Sequence, residues 1–299
     1  MEGKKVMTNI INQPQTSNQL ITNINEMCKT LFNSIDKNAF KYLDKLAFFD
    51  DKSFRNSTEL EMIGNNFYEG MIGIGISVLI GIVLYYIINY FIKKVINEEL
   101  ENPYTFIIKA IIISFFIIYI KDILLFIIYV NNIITTEILS LTKTFFNEKI
   151  TFENILIKIN EALYLSGDNF NVISFDGIIK MYLIFGVINL LFEYSLRYVM
   201  VKIMFIISPI VIALKSSKKT EYLYSNWLKG ICSLLFMQNI IAIILVLSTR
   251  LIVSPIVPIT KIIYIGMIYA LIRVNVFVKE IFGGGVSIEV QTPIRNILR

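Results

Sequence analysis

Long apolar runs alternate along the chain with short charged clusters. The first run, Met71 to Ile92 ("MIGIGISVLIGIVLYYIINYFI"), contains no charge, and Lys93 and Lys94 follow it at once. About 20 apolar residues suffice to cross the hydrocarbon core of a bilayer as a helix. A second run extends from Tyr104 to Val130 behind Pro103. A third starts at Ile178, a fourth spans Leu228 to Leu247, and a fifth runs from about Ile259 to Val278. The pattern predicts an all-α, polytopic helical membrane protein with about five transmembrane helices, six being the alternative.

The stretch Ile178–Leu214 decides between these numbers. It is apolar but interrupted by Glu193, Arg197 and Lys202. As one helix it would be about 55 Å long, more than a bilayer core needs, and as two spans each half would be short. Basic residues collect on the cytoplasmic side of a membrane. Arg197, Lys202, Lys215, Lys218, Lys219 and Lys229 all fall between the interruption and the next run. One crossing, Ile178 to about Phe192, keeps them all on the cytoplasmic side, whereas a hairpin would put Arg197 and Lys218 on opposite sides. Met200–Leu214 then lies along the inner interface or folds into the bundle, bent at Pro209. The sum is five crossings, with the amino terminus outside and the carboxyl terminus inside.

Outside the runs, Ile21, Ile24, Cys28, Leu31 and Ile35 recur at helical spacing and predict an amphipathic helix within Asn18–Leu46. Thr58 and Glu61 have the spacing of a capping box that starts a helix feeding span one. In the outer segment Asn131–Gly177, Thr151 is placed to cap a short amphipathic helix carrying Phe152, Ile155, Leu156, Ile159 and Leu163, closed by Ser166-Gly167-Asp168. The expected organisation is a polar amino-terminal region (1–70), spans one and two (71–130), the outer segment (131–177), spans three to five with a basic loop at 215–229 (178–281), and a cytoplasmic tail (282–299) after the helix-stopping Gly283–Gly285.

Composition narrows the chemistry. The chain is 55% hydrophobic with a mean hydropathy of +0.65, against about 45–50% apolar for soluble domains. It has no histidine, which removes the commonest metal ligand and general base. Its two cysteines, Cys28 and Cys232, form no metal or redox spacing, and no phosphate-binding loop occurs. The expectation is a protein that is not an enzyme and has no cofactor. Met1–Gly70 lacks an early apolar core, so no cleaved signal peptide is expected. The outer segment carries three lysines against six acidic residues, which opposes a nucleic-acid groove there.

Several residues stand out within the spans. Gly73, Ser77 and Gly81, four apart, form a small-residue ridge that permits close approach of another helix, in this chain or a second copy. Lys121 and Asp122 lie deep in span two, where charges serve a polar pathway or subunit contact, or pair internally. Lys109, nearer the inner end, is expected to snorkel. Glu193 and Arg197 have the i, i+4 order of a helical ion pair. Gln238 and Asn239 are adjacent amides suited to inter-helix hydrogen bonds. Trp227, the only tryptophan, stands just before span four, where an aromatic ring anchors at the membrane interface.

The combination resembles the TrbL/VirB-type polytopic inner-membrane subunits of type IV secretion systems. Five spans, an outer amino terminus and a large outer segment between spans two and three are similar to that family. So is the order of Arg197, "SPIVIAL" from Ser208 to Leu214, the polar loop Lys215–Asn226 and Trp227, and so is the closing "RVNVFVKEIFGGG" from Arg273 to Gly285. The acidic outer segment departs from the family. The resemblance implies an oligomeric channel or scaffold subunit of a conjugative apparatus in the cytoplasmic (inner) membrane, moving DNA or protein. Its implied partners are other membrane subunits, separate ATPases, further copies of the chain, membrane lipid and single-stranded DNA in transit. It also implies a cytoplasmic docking surface made of Lys215, Lys218, Lys219 and Trp227. Two other functions fit the residues alone: a small-solute or ion transporter using Lys121, Asp122 and Glu193, and a membrane structural protein of a sporulation or phage apparatus.

Overall fold

A computed structural model describes residues 19, 22–27, 38–50, 58–96, 102–146, 151–152, 154–155, 175–252 and 258–282. Its main helices are α1 (Asn38–Ala47), α2 (Thr58–Ile96), α3 (Pro103–Phe146), α4 (Phe175–Ile206), α5 (Ser208–Leu214), α6 (Glu221–Ile252) and α7 (Pro258–Phe282). The described residues hold helices and no strand. Five helices, α2, α3, α4, α6 and α7, are long and apolar enough to cross a membrane. The seven residues of α5 rise only about 10 Å, too short for a sixth crossing.

The helix starts follow local chemistry. α2 begins at Thr58 and runs unbroken into span one. Pro103 opens α3, where its missing N–H costs nothing, and the Asn102 side chain accepts a hydrogen bond from the Tyr104 N–H at 3.1 Å. The Thr151 hydroxyl accepts from the Asn154 N–H at 3.1 Å, as expected for the cap of the outer segment. Phe152 and Ile155 are buried behind it; Leu156, Ile159, Leu163 and the Ser166–Asp168 stop lie outside the described residues, as do Ile21, Cys28, Leu31, Ile35 and the tail from Gly283. Ile24, which falls on the expected apolar stripe, is exposed.

Three boundaries differ from the sequence reading. α3 does not stop at Val130 but continues to Phe146, because Asn131 and Thr135 find partners on α6. Span three does not end at Phe192: α4 continues to Ile206, and its interior arginine is absorbed by hydrogen bonds. The polar loop after α5 is not Lys215–Asn226, since α6 starts at Glu221. There the Glu221 N–H bonds the Ser217 carbonyl at 3.0 Å, and the acidic residue suits a helix N-terminus.

The break between α4 and α5 has a clear cause. Pro209 has no N–H to offer the carbonyl four residues back, that of Phe205. The Ser208 hydroxyl donates to that carbonyl instead, at 2.6 Å. At the other end of α5, the Ser216 hydroxyl donates to the Ala213 carbonyl at 2.7 Å and the Thr220 hydroxyl to that of Leu214, so the terminal carbonyls are met by the loop. α5 is thereby folded into the bundle, the second of the two placements expected for it, with Pro209, Val211 and Ile212 buried.

α6 is the most enclosed of the five long helices and α2 the least. Two apolar cores flank α6. One joins α1, Phe152 and Ile155, α4, α7 and the C-terminal half of α6 through Leu43, Leu190, Ile241 and Ile268. The other joins α2, α3, α5 and the N-terminal half of α6 through Leu79, Ile117, Ile212 and Trp227.

Candidate functional site

Arg197 is buried in α4 and is the start of a polar network. Its Nε donates to the Leu234 carbonyl on α6 at 2.9 Å, its Nη1 to the Ala47 carbonyl at 3.0 Å, and its Nη2 to Gln238 Oε1 at 3.3 Å. Its planar fork also stands 4.9 Å from the Phe49 ring centroid. Gln238 Nε2 in turn reaches the Phe49 carbonyl at 3.4 Å. Ala47 ends α1, where carbonyls lack intrahelical donors and the helix dipole is negative. A guanidinium with five donors meets both needs at once. Arg197 and Gln238 therefore clasp the end of α1 into the bundle. α1 is held again by Asp44, which accepts the Phe152 N–H at 2.8 Å.

The expected Glu193–Arg197 ion pair is not what the structure contains. The guanidinium turns toward α6 and α1, while Glu193 Oε2 accepts from Asn275 on α7 at 3.5 Å. The two residues are spaced for pairing, but neutral carbonyls converging on Arg197 supply better-placed acceptors.

The other polar residues of the spans separate into distinct places. Asn239 joins α6 to α3: its Oδ1 accepts from the Thr135 hydroxyl at 2.7 Å, and its Nδ2 donates to Asn131 Oδ1 at 2.9 Å. This is the inter-helix role expected of Gln238 and Asn239. The Lys121 ammonium stands 5.7 Å from the centroid of the Tyr68 ring, whose hydroxyl lies 3.3 Å from Ser208 Oγ. Asp122 is exposed. Lys121 and Asp122 thus lie beside Tyr68 of α2, whereas Glu193 faces α7 and Arg197 faces α6 and the end of α1.

Trp227 sits in the second turn of α6 and is buried. Its Nε1 donates to the Met204 carbonyl on α4 at 3.0 Å, and its ring packs beside Tyr224 at 6.1 Å between centroids. As a member of an outward docking surface it is displaced, because its ring fills the core between α4, α5 and α6. The lysines remain at the surface. Lys219 Nζ donates to the Tyr85 hydroxyl of α2 at 3.1 Å, Lys215 Nζ lies 4.6 Å from the Tyr224 ring centroid, and Lys218 is exposed. Tyr86 stacks on Phe106 at 3.7 Å close by in sequence, so α2, the start of α3 and the 215–220 loop share one basic end of the bundle.

Gly73, Ser77 and Gly81 are exposed, and a Cβ added at either glycine would meet nothing within 4 Å. On α2 the close approach within the chain occurs at Gly75, whose Cβ would lie 2.8 Å from the Pro209 carbonyl oxygen. Sequence reading selected the neighbouring glycine. Its signal was available: Tyr68, Ile72, Gly75 and Leu79 recur at helical spacing, and all four pack inward. Ala47, Phe49, Asn131, Thr135 and Asn275 were also missed, and no local pattern marks them. Among the described residues, no three of His, Cys, Asp and Glu are grouped to hold a metal ion. The chain matches no family model, no curated protein and no solved structure.

Proposed function

We propose that this chain is a non-enzymatic, oligomeric scaffold or channel subunit of a conjugative type IV secretion apparatus in the cytoplasmic membrane. The observation that carries the reading is a contrast of two surfaces. Inside the bundle, the polar side chains of Arg197, Gln238 and Asn239 are engaged in bonds between helices. Outside, α2 leaves Gly73, Ser77 and Gly81 bare along a mostly unburied apolar helix. A conduit for a large substrate then lies between copies rather than through one chain, and the ridge is a surface on which small residues allow backbones to close up. The ordered series of basic helix, proline-bearing α5, polar loop and Trp227 is in keeping with the family resemblance, and Lys218 and Lys219 are the cations through which an ATPase or a phosphate backbone would be met. The separation of Glu193, which faces α7, from Lys121 and Asp122 beside Tyr68 weighs against a small-solute transporter.

The test uses donor cells lacking the chain, complemented with the parent or with a Lys218→Glu, Lys219→Glu variant. Transfer should vanish without the chain and fall with the variant, at equal membrane abundance. In parallel, cysteine at Ser77, in a background without Cys28 and Cys232, should cross-link two copies. Undiminished transfer from donors lacking the chain would sink the conjugative reading, and absence of the cross-link would sink the seam.

A further inference from the structure

At the basic end of the bundle a cavity of about 430 Å³ opens between α3, the end of α5 and the start of α6. That volume is in the range of small-ligand pockets. One wall is a stripe of α3 from Thr105 to Phe116, at helical spacing and about 16 Å long. This matches the hydrocarbon depth of a single leaflet, about half of 30 Å. The far end of the stripe is apolar, formed by Ile112 and Phe116 against Ile212 of α5. The near end is polar and carries Lys109, Lys215 and Tyr224, with no carboxylate among the lining residues.

The mouth faces outward. Ile108, Ile112 and Phe116 are 58%, 50% and 50% exposed, although they line the groove. An open apolar trough with two cations at one end is poorly suited to a free anion, which would be left against hydrocarbon walls. It is well suited to an amphiphile entering sideways from the bilayer. The lysines also lie at the end assigned to the cytoplasmic leaflet, which is where anionic lipids attract basic residues.

We propose that this groove binds one anionic glycerophospholipid. One acyl chain lies along Ile112 and Phe116, and the phosphate sits between the Lys109 and Lys215 ammonium groups. Lys215 is oriented by the Tyr224 ring, 4.6 Å from its centroid, and Tyr224 is packed on Trp227. The site would therefore pin the α5–α6 turn to the lipid leaflet. It stands or falls independently of the conjugative reading.

Trp227, the sole tryptophan, provides the readout because it adjoins the groove through Tyr224. The full-length protein is reconstituted in phosphatidylcholine bilayers containing a small fraction of phosphatidylglycerol or phosphatidylcholine with brominated acyl chains, and fluorescence quenching is followed. Brominated phosphatidylglycerol should quench at lower mole fraction than brominated phosphatidylcholine. Lys109→Gln with Lys215→Gln should erase most of that preference, on the order of thirty-fold in apparent affinity for two lysines. Lys94→Gln, an exposed lysine outside the groove, should leave it intact. Ile112→Phe, which fills the apolar end and keeps both lysines, should also lower it, and it answers the question if the double variant does not fold. Equal quenching by the two lipids, or a preference that survives both the lysine pair and Ile112→Phe, overturns the proposal. Loss of the preference on adding millimolar inorganic phosphate overturns it as well, by identifying free phosphate as the ligand.

Discussion

The indole N–H of Trp227 donates to the carbonyl oxygen of Met204 at 3.0 Å and so ties the second turn of α6 to the last turn of α4. The carbonyls of a closing helix turn lack intrahelical donors, and Pro209 just beyond removes another. The indole repairs part of that deficit while its ring fills the core around α5. A single tryptophan stands here because no other side chain combines so large an apolar ring with a lone donor. Trp227→Phe keeps most of the ring and loses the bond, and should lower stability by about 1 kcal/mol. Trp227→Ala should cost about 3–5 kcal/mol. Thermal unfolding of the detergent-solubilised protein measures both. Equal, negligible shifts would show that the ring does not hold α4 to α6.

Arg197 supports a second expectation. Its three donor nitrogens reach α6, the end of α1 and Gln238, and only a planar fork serves all three. A lysine replaces at most part of this set. Arg197→Lys should therefore cost about 2 kcal/mol or more and loosen α1. Tryptic cleavage after Lys45, at the exposed flank of α1, should quicken in the variant well before the rest of the bundle is attacked. Unchanged cleavage would mean that α1 is held by its apolar contacts and Asp44 alone.

Legibility in the sequence followed the kind of force involved. The five long helices were readable because high hydropathy over some twenty residues is a local property, and so was the Thr151 cap. Helix ends were less readable. Asn131 and Thr135 look like the start of a polar segment until Asn239 is brought opposite them. Arg197 looks like the partner of Glu193 until the Ala47 carbonyl arrives from the far end of the chain. In each case the deciding partner lies far away in sequence, and no spacing rule reveals it. The Gly73–Gly81 ridge was legible as a set of small residues, yet its inward or outward sense depended on which face of α2 meets α5.

That face yields a paired prediction. A methyl group at Gly75 would press on the Pro209 backbone at 2.8 and 2.9 Å, and backbone cannot swing aside as a flexible side chain can. Gly75→Ala should force α2 away from α5 and cost about 1–3 kcal/mol. Gly73→Ala, with nothing within 4 Å, should leave the unfolding midpoint of the monomer in detergent unchanged or slightly raised. Equal effects of the two substitutions would contradict the α2–α5 packing.

Tyr194 offers a test in the opposite direction. Its side chain is fully buried, edge-on to Phe152 with centroids 5.9 Å apart, and its hydroxyl has no hydrogen-bond partner. Burying an unpaired hydroxyl is unfavourable. Tyr194→Phe keeps the ring packing and removes that group, so it should be neutral or stabilising by up to about 1 kcal/mol. A clear loss of thermal stability would reveal a partner for the hydroxyl in the membrane-embedded protein.

The orientation of the bundle can be read by labelling at two exposed positions. Lys218 lies in the short loop between α5 and α6, at the end that also carries Lys109, Lys215 and Lys219. Glu137 lies far along α3, whose 44 residues rise about 66 Å, roughly twice the hydrocarbon core. The two positions should thus emerge on opposite sides, with Lys218 inside by the clustering of basic residues. Single cysteines at these positions, in a background lacking Cys28 and Cys232, are treated in intact cells with a membrane-impermeant maleimide. Only the position-137 cysteine should react before lysis, and both should react after it. Labelling at position 218 in intact cells would invert the topology and move the proposed lipid groove to the outer leaflet. Labelling at neither would place both on the inside and leave α3 without a complete crossing.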